Sequence, residues 1–159
     1  MMAKSIPVLL VTLMASWALA PSSASAQVAD VAVVVNPANP VGGISLTELR
    51  KIFAGEKRSW QGGLPMHPIV RAPGCHERVV LLRLLAMSES EYKQYWTAQV
   101  FRGEVGSEPL SVPSIGMQKE AMAVYSGAIS LVDANDVKPG MKVVKIDGHL
   151  PGEPGYPLH

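Results

Sequence analysis

The chain has 159 residues, of which 48% are hydrophobic and 17% charged, so it can bury a core and is not disordered as a whole. Its length fits one ordinary domain and leaves no room for two. Lys and Arg number 14 against 13 Asp and Glu, with no basic block, which argues against nucleic-acid binding. The single cysteine excludes an internal disulfide and a zinc site built from several thiolates.

Residues 1–26 are predicted to be a signal peptide. Lys4 supplies the positive start, the apolar stretch Ile6–Ala20 follows, and Ala24-Ser25-Ala26 fits an A-x-A cleavage site. The alternative is a retained membrane anchor, but 15 apolar residues are fewer than the ~20 that span a bilayer. We therefore expect an exported, periplasmic protein that begins at Gln27 and has no membrane anchor.

The first part of the mature chain predicts a strand and a helix. The β-branched run Val31–Val35 is typical of a strand buried on both faces. Ser45 and Glu48 have the spacing of a capping box. The helix that they open should end at Gly55 and carry its apolar face on Leu46, Leu49, Ile52 and Phe53.

The middle of the chain predicts a second strand and two helices. Met66–Arg71 should be a short strand near a sheet edge, because Pro68 interrupts it. A mostly apolar helix from about Cys75 to Met87 should be buried. Ser88 and Glu91 form a second capping box, which opens a helix with Tyr92, Tyr95, Trp96 and Val100 at helical spacing.

The last part predicts a loop at Gly103–Pro113 and a helix near Ser114–Tyr125 that buries Met117, Ala121 and Val124. Strands are expected at Ala128–Val132 and Lys142–Ile146, which completes an α/β domain over residues 27–146. Residues 147–159 are so rich in Pro and Gly that we expect a flexible tail. Strands separated by helices in this order favour a mixed, largely parallel sheet covered by helices.

The candidate site lies between the second strand and the helix after it, where the segment from Arg71 to Glu77 reads RAPGCHE. Such a junction directs free backbone N–H groups and the positive end of the helix dipole at one point. Arg71, expected to be exposed, could add two parallel donors to an anion there. The alternative is that Arg71 is a surface cation and that Gly74 merely turns the chain.

Short motifs in a fixed order resemble the substrate-binding proteins of phosphate ABC transporters. They are, in chain order, Val33–Pro37, Leu46-x-x-Leu49-x-x-Ile52-Phe53-x-Gly55, Trp60-x-x-Gly63, Arg71-x-x-Gly74, Tyr92-x-x-x-Trp96, Phe101-x-Gly103 and Gly127–Ile129. The resemblance covers residues 31–146. It implies one lobe of the type II periplasmic-binding fold and an exported, non-enzymatic solute-binding protein without a cofactor. A small, phosphate-like anion and a membrane transporter or another periplasmic protein are the implied partners.

In that family the segment after the strand resembles R-x-D-G-S-G-T, whose arginine, hydroxyl and backbone N–H groups hold phosphate. The resemblance therefore implies that the ligand-binding residues of this chain are Arg71, Gly74, Cys75, His76 and Glu77. Pro73 stands where the family has its acidic residue, and Cys75-His76-Glu77 replace Ser-Gly-Thr. A thiol is a poor donor, and a carboxylate that faced the ligand would repel an anion.

Three alternatives for these residues stay open. Cys75 at a helix start could be a reactive thiol, helped by a cationic His76, or simply a small residue that fits. Cys75, His76 and Glu77 include metal-ligand types, although a site would need His67 or His149 as well, and no metal is predicted. Finally, the lobe could be a ligand-free scaffold or signalling domain, since one lobe supplies only one wall of a cleft. The aromatic residues Tyr92, Tyr95 and Trp96 are interpreted as core.

Overall fold

A computed structural model describes residues 28–159. The predicted signal peptide lies outside the described residues. The strands are β1 Val31–Val35, β2 Gly43–Ile44, β3 His67–Arg71, β4 Leu110–Val112, β5 Ala128–Asp133, β6 Lys142–Val143 and β7 Lys145–Ile146. The helices are α1 Leu46–Phe53, α2 His76–Leu85, α3 Glu89–Phe101 and α4 Ile115–Val124.

The main sheet has five strands in the order β4-β3-β5-β1-β6. β3 pairs parallel with both β4 and β5, whereas β1 pairs antiparallel with β5 and β6. Four strands therefore run in one direction with β1 reversed among them, which confirms a mixed, largely parallel sheet. β2 and β7 form a separate parallel pair.

Helices cover both faces of this sheet, and β1 shows why. Its side chains alternate between the two faces, as in any strand. Val31, Val33 and Val35 pack into a core cluster with residues of α1, α2 and α3. Ala32 and Val34 pack into a second cluster with Met122 of α4. All five residues of β1 are buried, as the β-branched run predicts.

The two predicted capping boxes differ. At α3 both halves form, since the Ser88 hydroxyl accepts from the Glu91 N–H and the Glu91 carboxylate accepts from the Ser88 N–H. At α1 only the Ser45 hydroxyl accepts from the Glu48 N–H, at 3.0 Å. The Glu48 side chain instead bonds the amine of Lys57. The apolar face predicted for α1 is confirmed, with Leu49, Ile52 and Phe53 buried.

β3 lies near an edge as predicted, because it is next to the edge strand β4, although it has a strand on each side. Pro68 is paired with Ile129 of β5, but pairing with β4 begins only at Ile69. The His67 N–H faces the β5 side, so the N–H that Pro68 lacks would face the other side, where β4 has not started. The Gly103–Pro113 loop prediction missed β4, whose three residues are too few to show a strand pattern.

The predicted face of α4 is also wrong. Met117 and Val124 are 49% and 73% exposed, and the buried residues are Gln118 and Met122. Gln118 is buried because its amide donates to the Ser130 hydroxyl at 2.5 Å and to the Leu131 carbonyl at 2.8 Å. Hydrogen bonds to β5 thus turn a polar side chain inward and move the apolar residues outward.

Residues 147–159 are packed, which contradicts the expected flexible tail. Tyr156 and Leu158 are 2% and 3% exposed. The Tyr156 hydroxyl donates to the Val31 carbonyl at 2.6 Å, and the Val31 N–H donates to the Leu158 carbonyl at 3.0 Å. The predicted strand at Lys142–Ile146 is divided at Val144 into β6 and β7, which belong to different sheets. Within the described residues, no helix is long and apolar enough to cross a bilayer.

Candidate functional site at the carboxyl end of β3

Arg71 ends β3, beside the last residue of β4 and immediately before the loop that leads to α2. It is in register with Val112, and the next residue, Ala72, donates its N–H to the Val112 carbonyl at 3.0 Å. The Arg71 side chain is only 13% exposed. The expectation of an exposed arginine is therefore wrong, and so is the alternative of a surface cation. Cys75 and Glu77, at the start of α2, lie against its guanidinium.

Gly74 and Cys75 shape the start of α2. Gly74 has a φ of +91°, a left-handed conformation that favours glycine, and a Cβ there would meet nothing within 4 Å. Gly74 therefore allows the turn between β3 and α2. Cys75 is the N-cap residue of α2, and its side chain accepts no capping hydrogen bond. The first N–H groups of a helix have no acceptor within the helix, so this end of α2 presents donors and a positive dipole end.

Glu77 turns inward from the first turn of α2 and faces Arg71. It is 6% exposed, and its Oε1 lies 4.0 Å from the Nε of Arg71. The same oxygen accepts from the Asp133 N–H at 3.5 Å, at the end of β5. The carboxylate therefore offsets the charge of the guanidinium, but at a distance too long for a hydrogen bond.

The guanidinium of Arg71 keeps buried donors without acceptors. Its Nη2 donates to the Cys75 sulfur at 3.5 Å. Its Nε and Nη1 are buried and have no hydrogen-bond partner among residues 28–159. Buried donors in folded proteins nearly always have an acceptor, and a buried donor without one loses its solvation uncompensated. These two nitrogens are the clearest feature of the site, because an oxygen ligand would satisfy them.

The structure brings together Arg71, Cys75 and Glu77 of the five predicted residues, with Gly74 as the turn between them. His76 instead approaches β5, with its Nδ1 3.7 Å from an Asp133 carboxylate oxygen. Sequence reasoning missed Asp133, because it ended this strand at Val132. The sheet topology would have indicated Asp133, because the carboxyl ends of the parallel neighbours β3 and β5 meet at one edge of the sheet.

The placement of the other histidines does not support the metal alternative. His67 starts β3, at the opposite end of the strand from Arg71, and its ring stacks on Tyr125 with centroids 4.3 Å apart. The His149 ring lies beside Gly155 in the terminal segment. In the described part of the chain, no three Cys, His, Asp or Glu side chains are grouped as metal ligands would be. Tyr92 and Trp96, each 3% exposed, belong to the core as interpreted.

Comparison with known proteins identifies the family. Residues 24–155 match the family described as PBP superfamily domain, and the chain belongs to it. No curated protein matches the chain.

Solved structures show the same fold. An ABC-type phosphate transport receptor from Vibrio cholerae is 21% identical, with a TM-score of 0.62, over 77% of this chain and 48% of that one. PstS from Borrelia burgdorferi is 15% identical, with a TM-score of 0.56, over 77% and 49%. A phosphate binding protein from Stenotrophomonas maltophilia is 18% identical, with a TM-score of 0.55, over 77% and 40%.

The resemblance to phosphate ABC transporter substrate-binding proteins is thus confirmed, and the fold is that of type II periplasmic-binding proteins. The chain spans about half the length of these solved relatives or less.

Proposed function

We propose that this PBP-superfamily domain binds a small oxyanion, with phosphate the first candidate, at the carboxyl end of β3. The observation that carries the proposal is the Arg71 guanidinium, whose Nε and Nη1 are buried and have no acceptor among the described residues. An oxyanion oxygen would supply the acceptor that such a buried, charged donor lacks. The N-terminus of α2, which has no side-chain cap at Cys75, adds backbone donors and a favourable dipole.

The relatives support the class of ligand and partner. Two of those named above are described as an ABC-type phosphate transport receptor and a phosphate binding protein. We therefore propose that the domain acts without catalysis and without a cofactor, as a solute-binding partner of a membrane transporter. Since the chain spans about half of these proteins, a second copy or the transporter would supply the other wall of the cleft.

Export is the second part of the proposal. Lys4, the apolar stretch Ile6–Ala20 and Ala24-Ser25-Ala26 predict cleavage after Ala26 and release into the periplasm. Mass measurement of the protein from a periplasmic extract should give a chain that begins at Gln27. A chain that keeps Met1 and sediments with membranes would refute this part.

A ligand-free scaffold or interaction domain is the competing function, and Glu77 favours it. Its carboxylate lies 4.0 Å from the Arg71 Nε and already offsets the charge that would attract an anion. In this alternative, Arg71 and Glu77 brace the end of the sheet and no solute binds.

Thermal unfolding with added anions separates the two functions. The purified protein would be melted in sodium phosphate, sodium sulfate and sodium chloride at matched ionic strength. A specific ligand at a hundredfold excess over its Kd stabilises by about 2.7 kcal/mol, so phosphate should raise Tm clearly above the chloride control. Equal melting temperatures in all three salts would reject oxyanion binding and leave the scaffold function.

A further inference from the structure

A cavity lies at the amino end of β3, away from Arg71. Its volume is about 560 Å³, within the range of small-molecule sites. His67, Pro68 and Ile69 form one wall, and Arg71 lies four positions further along the strand, roughly 13 Å from His67. This cavity is therefore distinct from the proposed oxyanion site.

The sheet leaves this space open because β4 is short. β4 pairs with β3 only from Ile69 onward, so His67 and Pro68 have no strand beside them on that side. Leu110, the first residue of β4, and Pro109 border the cavity where the missing strand would continue. The space is thus a consequence of the strand lengths.

The cavity walls are mainly apolar and aromatic. Ile52, Met66 and Ile69 line it and are buried in the core. Trp96 lines it as well, and the buried Nε1 of its indole has no hydrogen-bond partner among residues 28–159. On another side Tyr125 stacks on the ring of His67. Flat aromatic walls of this kind favour a flat apolar ligand.

The charged groups on the walls are mostly basic. Lys57, Arg58 and His67 line the cavity, against Glu108 as the acidic group. The Lys57 amine is already bonded to Glu48. Arg58 is exposed, and its Nε donates to the Gly55 carbonyl at 3.2 Å, which orients the side chain. Among residues 28–159 its two terminal nitrogens have no hydrogen-bond partner, so they can bind a carboxylate.

We propose that this cavity binds an organic anion with a flat, apolar body and one carboxylate, which Arg58 contacts. The apolar walls would bury the body of such a ligand, and the cavity volume would hold a fused aromatic ring system. The proposal does not depend on oxyanion binding at Arg71, and either site can fail without the other.

The test uses 1-naphthoate as the probe and 1-naphthamide as its uncharged analogue, with binding followed by calorimetry and by tryptophan fluorescence. The wild-type protein should bind 1-naphthoate more tightly than the amide. Arg58→Gln should weaken 1-naphthoate binding by about fivefold to tenfold and leave binding of the amide unchanged. Glu108→Gln should strengthen 1-naphthoate binding, because it removes a like charge from the wall.

Arg102→Gln is the matched control, since Arg102 is an exposed arginine at the end of α3 that does not line the cavity. Absence of 1-naphthoate binding to a cooperatively melting wild-type protein would overturn the proposal. So would equal losses of 1-naphthoate binding in Arg58→Gln and Arg102→Gln.

Discussion

Arg71 and Glu77 face each other at the carboxyl end of β3, where we propose that an oxyanion binds. Their side chains are 13% and 8% exposed, and Arg71 Nε and Glu77 Oε1 lie 4.0 Å apart. Removal of one partner from such a buried pair leaves an uncompensated charge, which is strongly destabilising. An incoming anion would therefore share Arg71 with Glu77, and its affinity depends on how strongly the carboxylate repels it.

Glu77→Gln tests this competition. The change removes the negative charge and keeps the size of the side chain, so phosphate should bind about tenfold more tightly. Calorimetric titration of phosphate measures the difference. Glu120→Gln, an exposed position on α4, is the control and should match wild type. Weaker phosphate binding in Glu77→Gln would show that the carboxylate assists the ligand and does not compete with it.

The junction between β3 and α2 could be predicted from the sequence, whereas the arrangement of its side chains could not. Arg71 and Gly74 follow from the strand-to-helix junction and from the family motif. Whether His76 or Glu77 turns inward depends on how α2 rotates against the sheet, which local spacing does not fix. Asp133 depends on the pairing of β3 with β5, a contact between residues more than sixty positions apart.

Helices α1 and α4 show when hydrophobic periodicity predicts the buried face of a helix correctly. In α1, Leu49, Ile52 and Phe53 are buried as their spacing predicts, because no polar side chain competes for that face. In α4, Gln118 takes the inward position through its bonds to Ser130 and Leu131. Hydrophobic periodicity cannot show such a contact, since the partners belong to a different element.

Leu49→Ala measures how much the α1 face contributes. Leu49 is fully buried in the larger core cluster, so the truncation should lower the free energy of unfolding by roughly 2–5 kcal/mol. Urea unfolding followed by circular dichroism gives this value. Lys51→Ala, on the exposed side of the same helix, should change it little. A loss below about half a kcal/mol in Leu49→Ala would contradict the packing described for α1.

The terminal segment, residues 147–159, contacts the beginning of the described chain. Asp30, which precedes β1, accepts from the Gly152 N–H and contacts the His159 ring at 2.8 Å. Composition predicted a flexible tail because Pro and Gly disfavour helices and strands. The two apolar residues Tyr156 and Leu158 are nevertheless enough to anchor it against β1.

Acid titration tests this attachment. The Gly152 N–H, with a smaller contribution from His159, lowers the pKa of Asp30 below its ordinary value. A carboxylate with a lowered pKa in the folded state stabilises above its unfolded pKa, and that contribution is lost as the pH falls through the folded value. Asp30→Asn should therefore lower Tm at pH 7 and flatten the decline of Tm below about pH 4.

Asp136→Asn, at an exposed aspartate outside this contact, is the control for the titration. It should follow the wild-type curve of Tm against pH. Superimposable curves for wild type and Asp30→Asn would contradict the attachment of the terminal segment through Asp30.

For the molecule as a whole, we propose that this single lobe binds an oxyanion through Arg71. A direct substitution of Arg71 would leave the Glu77 carboxylate buried and unpaired, so a loss of folding could imitate a loss of binding. Only the double variant Arg71→Gln/Glu77→Gln leaves neither charge buried without its partner, so Arg71→Gln is made in the Glu77→Gln background and each protein is first shown to melt cooperatively.

Calorimetric titration of phosphate into Glu77→Gln and into Arg71→Gln/Glu77→Gln is the most direct measurement. Charge-assisted hydrogen bonds contribute about 1.5–3 kcal/mol, so the double variant should bind phosphate roughly tenfold to a hundredfold more weakly. Cooperative melting of both proteins without phosphate would show that both are folded and that the difference comes from binding. Equal phosphate affinities in the two proteins, or no binding to either, would contradict a role for Arg71 as the anion ligand.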